Sequence, residues 1–475
     1  MYLSTETVSI ILILITISIS PAIIYFRKKV HELRKEEKYD LEAREESDKP
    51  KPLSKGQRRR IRFEDGVEKD KDKDKDAAGE TSPASTQPKK LQSTIQKESA
   101  YNMLQKLKEM QSNCIENIYT VIFCWYLAKE ILENSTASNI QMYATTYLAA
   151  KILYLLLHVS GKKTLSSFVY VLEAMLTNYI IYDLYFLQAP KHEKGSIEEK
   201  SDPSQLIAFI LLKVNNNGLI LKFLRFINLP KFFNQEKLER LHLHQLKDVF
   251  IAFPFLLITI INLQTETLHP AYIKVFLTLF LYSRLFIFAG LLLSVPDQPF
   301  SYMISLFAIV KLLMPWYRKG AFVLTMPNSE AADPINLLLF LCIKNILPGL
   351  VEIAFIVMRS GGKVFTNLDV PKELLLDPKN NQKNEVLRMI NLQKSDAVNS
   401  LGFMGLCLMA SSVTGTSLMI GLSSLPAGII WIFFISRWIH MAAVTLDISL
   451  PISEACSFVG FLLCVGVSGM GMGFW

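Results

Sequence analysis

Cysteine is sparse in this 475-residue chain, and its placement says more than its number. The six residues, Cys114, Cys124, Cys342, Cys407, Cys456 and Cys464, lie in or beside apolar runs and have no paired spacing. That excludes a secreted disulfide scaffold and leaves buried structural thiols as the reading. Histidine is nearly as scarce, at seven. His242 and His244 are two positions apart and so point to different faces of a helix, which argues against a paired metal site; no metal is expected. Charge is missing over long stretches. Most Lys, Arg, Asp and Glu fall between Arg27 and Lys108 or in short clusters. The remainder reads as apolar runs of about 20 residues, the length that crosses a ~30 Å hydrocarbon core. A soluble globular enzyme is thereby excluded. The averages, 50% hydrophobic and 20% charged with mean hydropathy +0.26, blend two populations.

The first run, Val8 to Phe26, is too long and too poor in small residues at its end for a cleaved signal peptide. It reads as an anchor helix with a kink at Pro21. Arg27-Lys28-Lys29 follows at once and places that end in the cytosol, with Met1 lumenal or exterior. Further apolar runs lie near 114–133, 140–159, 167–188, 205–227, 248–264, 272–294, 300–315, 334–358, 396–414, 425–446 and 449–472. The expected fold class is all-α and integral to a membrane, with twelve transmembrane helices. Basic turns at Lys162-Lys163, Lys222 to Lys247 and Gly361 to Lys394 fall on the cytosolic side of that count. The sequon Asn134-Ser135-Thr136 falls on the lumenal side, close to a helix end.

The segment from Arg27 to Gln111 differs in kind. It holds Arg58-Arg59-Arg60, a Lys/Asp alternation from Lys69 to Asp76 and a polar tract from Thr81 to Gln96. Low hydrophobicity and dense mixed charge predict disorder in its middle, over roughly 35–100. His31 to Glu45 is expected to extend the first helix, and Ser99 to Gln111 to lead into the second. The Arg58 cluster has the composition of a nuclear signal or nucleic-acid patch; a solvated loop attracted to anionic lipid is the favoured reading, and no nucleic-acid partner is expected.

The helices divide into three groups of four, giving units at 1–200, 201–330 and 331–475. Each third helix carries a basic residue: Ala150-Lys151-Ile152, Ser283-Arg284-Leu285 and Ser436-Arg437-Trp438. Each second helix follows a polar amphipathic lead-in, at Lys106 to Asn117, Glu239 to Asp248 and Asn384 to Asp396.

These residues resemble the membrane-associated proteins in eicosanoid and glutathione metabolism, the group of the microsomal glutathione transferases and prostaglandin E synthase. The family pattern Arg-Ala-His-Leu-Asn-Asp-Leu-Glu-Asn at the second helix is similar to Asn113-Cys114-Ile115-Glu116-Asn117 in the first unit. In the second unit, Arg240 and His242 match, while His244 and Lys247 stand in for the Asn and Glu. The third is weaker, with Gln393 and Asp396. The family's first-helix ending resembles Arg359 to Asn367, and less closely Arg27-Lys28-Lys29-Val30; Lys213 and Arg225 are its counterparts in the second unit. The third-helix Ala-Arg-Ile-Tyr-His resembles Ser436-Arg437-Trp438-Ile439-His440. Arg284 keeps the basic position with Ile287 for the His, and the first unit has Lys151, Tyr154 and His158. The resemblance covers everything outside the charged loop.

Family members are four-helix subunits that assemble as trimers and bind glutathione between neighbours near the cytosolic face. The resemblance therefore implies a pseudo-trimer in one chain, a monomer in copy number, with glutathione as cofactor and a lipophilic substrate drawn from membrane lipid. It implies carboxylate clamps at Arg27, Arg225 and Arg359. Asn113, Glu116, Arg240, His242 and Asp396 would hold the peptide, with Arg284, Arg437, His440 and Lys151 lining the pocket. For each Arg, snorkelling to the interface is the alternative. The family's thiolate-stabilising Arg at the start of the fourth helix is replaced by Ser167, Phe300 and Ser453. A Ser hydroxyl can still donate to a thiolate, which makes Ser167 and Ser453 the catalytic candidates, whereas Phe300 cannot. At most one composite site is expected, from Asn113, Glu116, Arg437, His440 and Ser453. Two functions are carried forward: a microsomal-type glutathione transferase or peroxidase, or a catalytically degenerate pseudo-trimer acting as membrane scaffold or lipid-binding protein. A twelve-helix transporter is the third and weakest, because parallel repeats of four are unlike common transporter arrangements. The expected location is the endoplasmic reticulum, or alternatively the mitochondrial outer membrane.

Overall fold

A computed structural model describes residues 3–48, 87–131, 137–187, 203–227, 235–293, 298–318, 334–359, 385–414, 425–446 and 450–471. The Arg58 cluster, the Lys/Asp alternation and the sequon lie outside these residues, as does the middle of the charged segment. The described residues are all-helical, with no strand among them. In chain order the helices are α1 (Thr5–Asp48), α2 (Gln87–Ile131), α3 (Ala137–Val159), α4 (Lys163–Tyr182), α5 (Pro203–Ile227), α6 (Gln235–Gln264), α7 (Pro270–Leu293), α8 (Gln298–Arg318), α9 (Pro334–Arg359), α10 (Glu385–Thr414), α11 (Ala427–Thr445) and α12 (Leu450–Gly471). A π-helical turn, Asp183–Leu187, continues α4.

Seven helical stretches are long and apolar enough to cross a membrane: Thr5–Val30, Asn139–Val159, Lys163–Phe186, Pro203–Leu224, Pro270–Leu293, Ala427–Thr445 and Glu454–Gly471. Four helices contain shorter apolar stretches, Asp248–Gln264, Ser301–Tyr317, Ile335–Leu347 and Val398–Ser411. The expectation of twelve spans is thus met for seven by length and composition. Buried polar residues such as Asp248, Lys344 and Asn399 lie within these shorter stretches. As expected, α1 continues past the basic triplet to Asp48, and the polar lead-in before Asn113 is helical from Gln87.

The chain forms two compact units, one of residues 1–21 and 109–475, the other of residues 22–108. The boundary in α1 falls at Pro21, inside the helix. The smaller unit buries Ile23, Val30, Ala100 and Leu104.

In the larger unit, α2, α6 and α10 meet at the core. Phe253 of α6 lies against Phe123 and Tyr119 of α2, with ring centroids 4.6 Å and 6.1 Å apart. The Tyr119 hydroxyl donates to the Val398 carbonyl of α10 at 3.2 Å, and α6 packs on α10. Helices α3 and α4 pair, as do α7 with α8 and α11 with α12. Two stacks have nearly identical geometry. Phe255 of α6 lies on Phe280 of α7 at 3.9 Å and 12°, and Phe403 of α10 lies on Phe433 of α11 at 3.8 Å and 5°. Large apolar side chains are exposed on the outer faces, among them Phe168 and Met175 of α4, Phe286 of α7 and Phe458 of α12. That inside-out distribution suits lipid contact.

Candidate functional site

Several buried polar residues of the larger unit meet between neighbouring helices. On α2, Asn113 and Glu116 lie one turn apart and are both buried. Asn113 Nδ2 donates to the Tyr154 hydroxyl of α3 at 2.5 Å, and the Tyr170 hydroxyl of α4 donates to Glu116 Oε2 at 2.8 Å. The two tyrosine rings stand 6.1 Å apart, and Tyr154 packs on His158 at 5.6 Å. Helix α5 closes this cluster at Gly218, where a Cβ would fall 3.1 Å from the Tyr170 hydroxyl and 3.4 Å from Glu116 Oε2. Lys222, one turn along α5, stands 5.0 Å from the Tyr170 ring centroid and 3.5 Å from Glu109 Oε1.

The three third-helix basic residues share a local design. Each has an aromatic residue four positions earlier, on the same helical face. Lys151 Nζ stands 5.7 Å from the Tyr147 centroid, Arg284 Cζ 5.3 Å from Phe280 and Arg437 Cζ 5.6 Å from Phe433. All three are buried, and their counter-groups differ. Lys151 pairs with Glu173 of α4 at 2.5 Å, both side chains fully buried. Arg284 Nη1 reaches Asp248 Oδ1 of α6 at 3.1 Å, while Lys213 of α5 bonds the other carboxylate oxygen. Tyr302 of α8 covers the guanidinium from 4.9 Å. Arg437 donates to the Cys456 carbonyl of α12. A Cβ on Gly460 would stand 3.0 Å from its Nη2, so glycine there makes room for the guanidinium.

Charges at such positions are costly in lipid and face the bundle interior. Lys151 and Arg284 are paired with carboxylates from neighbouring helices, Glu173 and Asp248, which sequence reading did not include among the site residues. The signal was available: an acid inside an apolar run needs a partner. Beside the Asp248 pair, Ile210, Lys213, Val214, Ala252, Phe280, Leu281 and Arg284 line a shallow crevice that encloses no room for a water molecule.

The proposed composite site divides between these regions. Asn113 and Glu116 belong to the α2–α3–α4–α5 cluster, while Arg437 and His440 are buried on α11, Arg437 against α12. Ser167 is half-buried near the start of α4. Arg27 is exposed in the smaller unit. Arg225 on α5, Arg240 and His242 on α6, Arg359 on α9, Asp396 on α10 and Ser453 on α12 have side chains outside the described residues. Five of the six cysteines are buried and Cys456 is partly so; all are free thiols. Among the described residues, no cluster of His, Cys, Asp and Glu has the makings of a metal site.

The described residues are all helical, with apolar outer faces and seven helices long and apolar enough to span a membrane, which is consistent with a helical membrane protein. Comparison with family models, curated proteins and solved structures finds no match.

Proposed function

We propose that the chain is a single-copy pseudo-trimer of three four-helix repeats whose ancestral glutathione sites have become internal bonds, and that it serves as a membrane scaffold or lipid-binding body. Support for the repeats comes from the recurring aromatic-x-x-x-basic pairs on α3, α7 and α11, the matched Phe255–Phe280 and Phe403–Phe433 stacks, and the convergence of α2, α6 and α10. The observation that carries the non-catalytic reading is the Arg284–Asp248–Lys213 triad. Arg284, which the resemblance puts in the pocket lining, and Lys213 beside it are both bonded to a carboxylate of the chain itself. Removing a partner from such a pair is expensive, so a ligand would have to displace it at considerable cost. On this reading the N-terminus faces the lumen of the endoplasmic reticulum or, alternatively, the side of the mitochondrial outer membrane away from the cytosol, and the charged loop faces the cytosol.

A glutathione-dependent enzyme is the second reading, favoured by one observation. The Asn113–Glu116 cluster combines α2, α3 and α4 with Gly218 and Lys222 of the next repeat, which is the inter-subunit placement that the resemblance implies. Assay of the purified protein in lipid nanodiscs, with millimolar glutathione and a lipophilic electrophile or hydroperoxide, separates the two. The scaffold reading predicts turnover no faster than protein-free discs. Turnover abolished by Glu116→Ala would establish the enzyme.

A further inference from the structure

The two ends of the chain meet through an apolar contact of an unusual shape. Ile10, Ile13 and Ile17 of α1 are completely buried and lie on one helical face at i, i+3 and i+7. Each meets a glycine. A Cβ on Gly471 of α12 would fall 2.9 Å from Ile10 Cδ1, one on Gly405 of α10 would fall 3.1 Å from Ile13 Cδ1, and one on Gly402 would fall 2.6 Å from Ile17 Cδ1. The Gly471 position also abuts Ala410 of α10, whose Cα would be 3.7 Å away. Three missing side chains thus cut a groove across α10 and α12, and three isoleucine ends fill it. Lipid tails are as apolar as isoleucine, so burial alone does not drive such a contact. Close approach over small residues and the van der Waals packing it permits hold the helices together.

The contact between α4 and α5 is built on the opposite principle. Asn215 Nδ2 donates to the Ala174 carbonyl and to Asn178 Oδ1, each at 2.8 Å, and Asn178 Nδ2 donates to Asn216 Oδ1 at 2.6 Å. Amide hydrogen bonds hold that junction, with Gly218 admitting the Tyr170 hydroxyl. Two helices joined in this way are directly successive in the chain. Helix α1 has no such proximity to α10 and α12, so its docking must be specified by shape.

From this contrast we infer that the first half of α1 is a closing helix, a row of isoleucine knobs that fits the glycine-notched groove of α10 and α12 and shuts the body within a single copy. The occupant is this chain's own α1. The inference rests on the three-repeat reading, because closure of a ring of repeats is what gives the contact its purpose. It does not depend on whether glutathione binds.

The test joins the knob to the notch. Ile13→Cys and Gly405→Cys are placed in one chain and treated in membranes with a short bifunctional thiol-reactive crosslinker, with the wild type controlling for the six native cysteines. A crosslink within a single chain is expected. When the two substitutions are divided between two differently tagged, co-expressed copies, no crosslink between copies is expected. Crosslinking between copies would assign the groove to a second molecule and overturn the proposal. So would the absence of any crosslink in the doubly substituted chain. A compensation experiment guards against a variant that folds poorly. Ile13→Val removes the methyl that Gly405→Ala would meet, so the double variant should unfold at a higher temperature than the sum of the two single effects gives. Strict additivity would show that the notch is not shape-selective. Glutathione binding measured on the same samples reports on the functional reading alone, so the two fail separately.

Discussion

Arg284 of α7 and Asp248 of α6 face each other across 3.1 Å with both side chains withdrawn from the surface, and Lys213 of α5 takes the second carboxylate oxygen. One acid therefore bonds two cations and ties three helices. Its removal leaves both cations uncompensated. Asp248→Ala is expected to cost about 3–5 kcal/mol, the usual penalty for breaking a buried pair from one side. Reversible unfolding in mixed micelles measures it. A cost below about 1 kcal/mol, the range of exposed pairs, would mean that the triad is solvated.

Lys151 and Glu173 make the same kind of bond between α3 and α4, with neither side chain exposed. Here the prediction concerns the pair. Glu173→Gln and Lys151→Met each leave a buried group without its partner, whereas Lys151→Met with Glu173→Leu removes both. The double variant should be more stable than either single one, because matched apolar groups can replace a buried pair at little cost. A double variant as unstable as the sum of the singles would point to separate roles for the two charges.

The aromatic stacks offer a comparison between distant parts of the chain. Phe255→Ala and Phe403→Ala each remove one ring from a stack, with partners at 3.9 Å and 3.8 Å. Each should destabilise by about 3–5 kcal/mol, the range for emptying a buried aromatic site. Agreement within about 1 kcal/mol is expected. A large inequality in unfolding free energy would argue that α6–α7 and α10–α11 are not structural equivalents.

Gly218 tests the junction of α4 with α5. A methyl there would meet the Tyr170 hydroxyl at 3.1 Å and Glu116 Oε2 at 3.4 Å. Gly218→Ala should displace the hydroxyl and lose the bond to Glu116, at about 1–3 kcal/mol for a buried acceptor left short of a partner. Part of that is offset by the better helix propensity of alanine, about 1 kcal/mol. Tyr170→Phe on the Gly218→Ala background should then add little further loss. Equal loss on both backgrounds would show that the hydroxyl and the glycine act independently.

The sequence made the membrane character legible because apolar run length is a direct physical requirement of the bilayer. It also revealed Lys151, Arg284 and Arg437 as a recurring set, since one basic residue in an otherwise apolar helix stands out. Their partners were harder to read. Asp248 reads as the end of a polar lead-in and Glu173 belongs to no motif, because sequence spacing cannot say which helices become neighbours. The glycine notches at Gly402, Gly405 and Gly471 were unreadable for the same reason. A glycine in an apolar helix acquires meaning only when the side chain that fills its space is known. Among the described residues, seven helices meet a membrane's length and hydropathy by themselves, and four others carry shorter apolar stretches that contain buried polar residues such as Asp248 and Asn399.

The most direct test of the central claim is isothermal titration of the purified protein in nanodiscs with glutathione up to millimolar concentration. If Arg284 and Lys151 are committed to Asp248 and Glu173, and Asn113 and Glu116 to tyrosine hydroxyls, no saturable heat above that of empty discs is expected. Saturable binding that is weakened by Glu116→Ala would contradict the account and place a working glutathione site at the junction of α2, α4 and α5.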